Sequence, residues 1–231
     1  MRIEISEFRF FTDYSLLLDL DPNMPANAQV HLIDDEPTIR TAAPRLLRAA
    51  GISCADYPDI ETFLKTPSGP VVAPACILLD IGLPGRSGLD AQTALAGLYP
   101  TLPIVFLTGR DDASSSVRAL KAGAFDYLLK PIDAALLIPS VRAALSRSLE
   151  LANRRQVADQ DAGLLARLTP REREVLILVT KGMLNKQVAE QLGTAEKTVK
   201  VQRASVMLKL NADSVADLVR FVDRLALHGN K

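Results

Sequence analysis

Four short apolar runs in this chain each stop at a polar residue of defined chemistry. Val30-His31-Leu32-Ile33 precedes Asp34-Asp35, and Cys76-Ile77-Leu78-Leu79 precedes Asp80. Pro103-Ile104-Val105-Phe106-Leu107 precedes Thr108, and Asp126-Tyr127-Leu128-Leu129 precedes Lys130-Pro131. Apolar runs of this length, bounded by turn signals, read as parallel strands buried on both faces. Parallel strands of one sheet end on one edge, and open α/β folds place their sites at that carboxyl edge. Asp34, Asp35, Asp80, Thr108 and Lys130 are therefore expected to converge. Three carboxylates, one ammonium and one hydroxyl suit a divalent cation and a phosphoryl group.

The segments between the runs carry helical spacing. Pro37 suits a first helical position, Ile39, Ala43, Leu46, Leu47 and Ala50 form a stripe, and Gly51 closes the helix. A fifth strand is expected at Ile52–Tyr57, with helices near Ile60–Lys65, Gly88–Leu98 and Ala113–Ala122. Strands alternating with helices predict a doubly wound, five-stranded parallel sheet, flavodoxin-like in type. A longer helix is expected from Ala134 to about Arg155, fading into the polar stretch that ends near Gly163. From Pro170 onward the pattern is all helical, with breaks at Gly182 and Gly193. The expected division is a leader of uncertain order at 1–28, an α/β domain at 29–149, a helical linker at 150–166 and a helical domain at 167–231.

Net formal charge is zero but unevenly spread. Residues 30–150 hold 13 Asp+Glu against 11 Lys+Arg, whereas residues 167–210 hold 9 Lys+Arg against 4 Asp+Glu. The second part therefore fits a nucleic-acid partner. No run approaches the ~18 apolar residues of a membrane span, and the start lacks the pattern of a secretion signal. Cys54 and Cys76 stand in apolar surroundings without metal-ligand spacing, as expected of structural thiols in a reducing cytoplasm.

The acidic set has a defined chemistry. Mg²⁺ prefers oxygen ligands and takes one or two carboxylates together with waters and phosphate oxygens. Without a cation, crowded carboxylates repel and their pKa values rise. Asp80, at the end of the central strand, is placed to act as a nucleophile on phosphorus. Lys130 and the Thr108 hydroxyl are placed to receive phosphoryl oxygens. Gly82-Leu83-Pro84-Gly85 lets backbone approach that position.

Over about Gln29 to Leu149 these residues resemble the receiver domain of bacterial two-component response regulators. The resemblance implies phosphorylation of Asp80 and Mg²⁺ held by Asp34, Asp35, Asp80 and the Gly82 carbonyl. It further implies a cis Lys130-Pro131 bond, and a switch in which Thr108 moves toward the phosphoryl group while the Tyr127 ring turns inward. Gly82 and Arg110, each two residues past a site residue, are where this family tunes the lifetime of the acyl phosphate. Arg110 either meets the phosphoryl group or pairs with Asp111 or Asp112.

In the helical part, Thr169 can cap a helix with Pro170 in its first turn, and the glutamates that follow favour the positive helix end. Helices are expected at about Asn185–Leu192 and Glu196–Leu210. Val199, Val206 and Leu210 face inward, with Met207 and Ala204 beside them, and Lys197, Thr198, Lys200, Gln202, Arg203 and Lys209 face outward. A basic helix of this length fits the major groove, where Lys and Arg bind phosphates and Gln and Arg read base edges. Leu168-Thr169-x-Arg171-Glu172-x-Glu174-Val175-Leu176, Gly182-x-x-Asn185-Lys186-x-Val188-Ala189 and Thr198-Val199-Lys200-Val201 resemble the LuxR-type helix-turn-helix, a small four-helix domain. The two parts together resemble a response regulator of the NarL/FixJ class. That resemblance implies DNA contacts from Lys197, Lys200 and Arg203, backbone contacts from Lys186 and Thr198, and a Glu174 that holds the scaffold from inside. Ala195 stands where a serine cap is common, with Thr194 available one residue earlier, and Gln202 stands where histidine is common.

The expectation is a cytoplasmic transcription regulator, not an enzyme. A sensor histidine kinase phosphorylates it, it dimerises on phosphorylation, and it binds promoter DNA. A phosphatase of the haloacid dehalogenase type needs an Asp-x-Asp pair after its first strand, which Asp80-Ile81-Gly82 after the third strand does not supply. A binding module indifferent to phosphate has no use for the complete acidic set.

Overall fold

The computed structural model describes residues 27–65, 74–84, 88–109 and 123–229. The leader through residue 26, Arg110 and the helix expected over 113–122 lie outside the described residues. Five strands form, β1 (Gln29–Ile33), β2 (Ser53–Tyr57), β3 (Ala75–Asp80), β4 (Ile104–Thr108) and β5 (Asp126–Leu129). Eight described helices accompany them. These are α1 (Pro37–Ala49), α2 (Ile60–Lys65), α3 (Gly88–Leu98), α4 (Ala134–Ala166), α5 (Pro170–Thr180), α6 (Asn185–Leu192), α7 (Glu196–Lys209) and α8 (Val215–Gly229). The chain divides into two compact units between Ala152 and Asn153.

In the first unit the strands pair in parallel in the order β2-β1-β3-β4-β5. Every residue of β3 and β4 is buried, as central parallel strands require. Side chains alternate between two cores. Val30, Leu32, Cys76, Leu78, Val105 and Leu107 meet Ala43 and Leu47 of α1 and Leu137, Val141 and Leu145 of α4. Ile33, Ile77, Leu79 and Phe106 meet Phe63 of α2 and Ala91 and Leu95 of α3. Helices thus cover both faces, the doubly wound arrangement expected. Gly51 closes the α1 turn at φ +75°, a conformation that favours glycine.

One polar residue sits inside this second core. His31 is buried, its Nδ1 lies 3.2 Å from the Tyr57 hydroxyl, and its ring packs on Tyr57 and Phe63. Burial pushes its imidazole down to about 4.

Helix α4 runs unbroken to Ala166, through the residues expected as a helical linker, and does not fade near Arg155. The polar stretch contains no proline, and its residues are mostly good helix formers. Its last turns are anchored within the second unit. Leu164 and Leu165 pack on the helical core, and Arg224 of α8 grips Asp161 with two hydrogen bonds of 2.8 and 2.9 Å. That anchoring offsets the ~1 kcal/mol a mid-helix glycine such as Gly163 costs. The core of the second unit is built from Leu168, Val175, Val179, Val188, Val199, Val206, Leu218 and Phe221.

Candidate functional site

Strand register brings the acidic residues together. Ile33 pairs with Leu79 across β1 and β3, so Asp34 and Asp80, the next residues, emerge side by side. Asp80 pairs with Leu107 and Thr108 with Leu129, which brings Thr108 and Lys130 to the same edge. A ligand oxygen from each of Asp34, Asp35 and Asp80 lies within 4.8 Å of the others. Asp34 is fully buried, Asp80 nearly so, and Asp35 is exposed. The loop is locally fixed. The Glu36 N–H donates to Asp34 Oδ1 at 2.9 Å, Arg40 Nη1 donates to the Asp34 carbonyl at 2.7 Å, and Pro37 then starts α1.

Lys130 Nζ reaches into this cluster, 2.9 Å from Asp34 Oδ2, 3.1 Å from Asp80 Oδ1 and 2.7 Å from Glu36 Oε1. The Lys130-Pro131 bond is cis, as the resemblance implies. Burial raises the Asp34 carboxyl above its ordinary value, and the nearby Asp80 charge adds to this, while Lys130 and the Glu36 N–H oppose it. Burial alone lowers the Lys130 ammonium, but its bonds to Glu36 and Asp34 and the Asp34 and Asp80 charges outweigh that and raise it. Three carboxylates against one ammonium leave an excess of negative charge on oxygen donors. That donor set fits a hard divalent cation such as Mg²⁺.

The rim is open at Gly82, where a Cβ would stand 3.4 Å from Asp80 Oδ2, so any larger side chain would begin to cover the carboxylate. Thr108 is buried and its hydroxyl donates to the Gly109 carbonyl at 3.3 Å. Tyr127 is 38% exposed, its ring not packed inside.

The second unit presents a basic surface. α5 starts at Thr169 with a complete capping box, and α6 ends at Gly193 in the left-handed region at φ +62°. That turn leads into α7, whose 14 residues span roughly 21 Å. Lys186, Lys197, Thr198 and Lys200 are exposed together with the apolar Val201. Gln202 and Arg203 are half-buried, and Arg203 Nη1 donates to Asn185 Oδ1 of α6 at 3.1 Å.

Known proteins share both units. A response regulator receiver domain matches residues 30–162, and the luxR family of bacterial regulatory proteins matches residues 166–222. The chain belongs to the response regulators. The resemblance read from its residues is borne out, and so are the fold class and the reading as a phosphorylation-dependent transcription regulator. The chain is 38% identical to Nodulation protein W of Bradyrhizobium diazoefficiens, over 88% of each protein. It is 36% identical to the transcriptional regulatory protein FixJ of Azorhizobium caulinodans, over 85% of this chain and 92% of that one. Among solved structures it resembles the response regulator StyR, with a TM-score of 0.76 and 38% identity over 85% of this chain and 98% of that one. Full-length FixJ from B. japonicum matches with a TM-score of 0.52 and 30% identity, over 87% of this chain and 98% of that one. Receivers of this family take their signal from a histidine kinase and generally bind Mg²⁺, and the luxR-type module binds DNA. Among the described residues, no helix is long and apolar enough to cross a membrane.

Four expectations about individual residues need correction. Glu174 does not hold the scaffold from inside; it is exposed and paired with Arg171 at 2.6 Å. The inside carboxylate is Glu172, which accepts from Ser205 Oγ at 2.6 Å and from Lys209 Nζ at 2.6 and 2.8 Å. Lys209 accordingly turns inward rather than outward, and Ala204 is exposed rather than beside the apolar stripe. The reason lies in the cap: Thr169 Oγ1 takes the Glu172 N–H while Glu172 Oε2 takes the Thr169 N–H, which directs this side chain toward α7. The spacing Thr169-x-x-Glu172 carries that signal in the sequence. Thr194 does not replace the missing serine, because α7 begins at Ala195 with no side-chain cap. Glu36, the third consecutive acid, was not singled out by the sequence, although its contact with Lys130 is the shortest of the three.

Proposed function

We propose that Asp80 accepts a phosphoryl group from a sensor histidine kinase, and that this controls dimerisation and promoter binding through α6 and α7. The observation that carries the reading is the convergence of Asp34, Asp35 and Asp80 within 4.8 Å, with the Lys130 ammonium between Asp34 and Asp80. Mg²⁺, when bound, neutralises the carboxylates and the phosphoryl oxygens; Asp34, Asp35, Asp80 and the Gly82 carbonyl would hold it. Asp80 attacks phosphorus through a carboxylate oxygen, and the P–N bond to the kinase imidazole breaks with its electron pair going to nitrogen. Lys130 donates to one phosphoryl oxygen. The Thr108 hydroxyl leaves Gly109 and donates to another, and Tyr127 turns inward to fill the space it vacates. Positioning and charge neutralisation dominate such transfers, so the pocket needs little covalent chemistry beyond the nucleophile.

The new charge shifts an existing equilibrium of the receiver rather than creating a state. The active form either frees the DNA-binding module or promotes homodimers, and paired α7 helices read half-sites about 10–10.5 base pairs apart. Lys197, Lys200 and Arg203 contact DNA, Lys186 and Thr198 hold the backbone, and Gln202 lies at the edge of the contact. The protein acts in the cytoplasm as a regulator and not as an enzyme. The test is DNA affinity of the purified protein with and without a small phosphodonor plus Mg²⁺, beside Asp80→Ala. The donor is expected to tighten binding of the wild type only. Equal binding by both proteins under both conditions refutes the phosphorylation switch.

A further inference from the structure

The Lys130 ammonium has three N–H donors, and three carboxylates stand around it. Glu36 Oε1 lies at 2.7 Å, Asp34 Oδ2 at 2.9 Å and Asp80 Oδ1 at 3.1 Å. With three carboxylate oxygens within 3.1 Å of the ammonium, an arriving phosphoryl oxygen has to displace one of them. Asp34 is fully buried and its other oxygen is fixed by the Glu36 N–H, while Asp80 is nearly buried and is the acceptor itself. Neither can leave without stranding a charge away from water. Glu36 differs: its side chain is 52% exposed, and once released it is solvated. Its formal negative charge also adds to the field that a phosphorylated, anionic donor meets on approach.

We infer that Glu36 is a latch on Lys130, a positioning residue that holds the ammonium in the resting pocket and sets the rate at which Asp80 is phosphorylated. This rests on the reading of Asp80 as the acceptor. The Glu36 carboxylate lets go of Lys130 as the Asp80–phosphorus bond forms and the donor's bond to phosphorus breaks, its leaving group keeping the electron pair. The freed N–H then goes to a phosphoryl oxygen. Glu36 touches Lys130 and not the reacting atoms, so its effect is on the rate and not on whether transfer occurs.

The experiment uses the full-length protein, acetyl phosphate as donor and saturating Mg²⁺ established separately for each variant. Wild type, Glu36→Gln, Glu36→Asp and Asp80→Asn are followed by the rate of phosphoprotein formation at low and high ionic strength. Gln keeps an acceptor but loses the charge, and Asp keeps the charge but shortens the reach by one methylene. Glu36→Gln is expected to phosphorylate faster by about two- to fivefold, the rate equivalent of an exposed ion pair. Glu36→Asp is expected to fall between it and the wild type. The advantage of Glu36→Gln should shrink as salt is raised, because salt already weakens a half-exposed pair in the wild type. A general loosening of the pocket slows phosphorylation and has no such salt dependence. Rates for Glu36→Gln equal to or below wild type at every ionic strength, with Asp80→Asn unlabelled, overturn the latch and leave Asp80 standing. Labelling of Asp80→Asn, or no labelling of the wild type, overturns the acceptor reading and the latch with it.

Discussion

Each of the two compact units buries a carboxylate against a lysine, and the two carboxylates are displaced in opposite directions. Glu172 is balanced: Lys209, Ser205 and the Thr169 N–H satisfy it, and the Lys209 bond before all others pulls it down to about 2. Asp34 is unbalanced. Burial raises its carboxyl, the Asp80 charge adds to the rise, and Lys130 has to serve three carboxylates at once. A satisfied carboxylate is scaffold, whereas one of several sharing a single cation is a site waiting for another positive charge. The linkage signs differ accordingly. For Glu172 the unfolded chain binds more protons between about 2 and its ordinary 4.5, so its contribution is whole above that window and is lost as pH falls through it. For Asp34 the native state holds the proton more tightly, so its contribution erodes as pH rises above the ordinary 3.8.

The largest effect should come from breaking the balanced site. Glu172→Ala removes the acceptor of Lys209 and Ser205 and half of the capping box, and we expect a loss of about 3 kcal/mol. This lies at the lower end for a buried pair because Lys209 is one-third exposed and can reach water. Urea unfolding of the full chain, read in the transition of the C-terminal unit, measures it. Glu172→Gln, which keeps one acceptor oxygen while losing the other and the charge, should cost about half as much. An unchanged midpoint for Glu172→Ala removes this residue from the scaffold.

The unbalanced site should respond in the other direction. Without Mg²⁺, Asp34→Asn removes a buried charge with too few partners and should stabilise the first unit by about 1 kcal/mol. With Mg²⁺ at a hundredfold over its Kd, the wild type should gain about 2.7 kcal/mol and Asp34→Asn almost nothing. Thermal unfolding in both buffers therefore predicts a reversal of rank between the two proteins. If the order is the same in both, the acidic cluster is not a cation site.

The difference between the two sites also explains what could be read in advance. Asp34, Asp80, Thr108 and Lys130 stand at strand ends, and strands advertise themselves as apolar runs, so their convergence follows from parallel pairing alone. Helices α2 and α3 likewise begin and end where the spacing places them. The inside carboxylate of the second unit was harder to place, because Glu172 and Glu174 lie two residues apart near the same helix start and only the capping geometry singles out Glu172. Lys209 read as one more outward basic residue because its partner is 37 residues earlier. Glu36 was hidden for the same reason, its partner Lys130 lying 94 residues away. The full length of α4 depended on Asp161 meeting Arg224, 63 residues on, a pair that periodicity does not announce.

The smallest effect concerns a cap that the second unit lacks. Helix α5 starts with Thr169 taking the Glu172 N–H, but α7 starts with Ala195, whose backbone is extended as a cap requires while its side chain offers no acceptor. Apart from the Thr198 N–H, which meets the Ala195 carbonyl at 2.9 Å, the first N–H groups of α7 depend on water or on a ligand. Ala195→Ser should supply the acceptor and stabilise the second unit by about 0.5–1 kcal/mol, toward the lower end because the position is exposed. The same urea transition used for Glu172 measures it, with Ala195→Gly as the control that relaxes the backbone without adding an acceptor. A serine gain no larger than the glycine change means that α7 is held by its core face, Val199, Val206 and Leu210, and by the Glu172–Lys209 pair alone. A clear serine gain means that this helix start is underdetermined in the free protein, with N–H groups left for a DNA phosphate to satisfy.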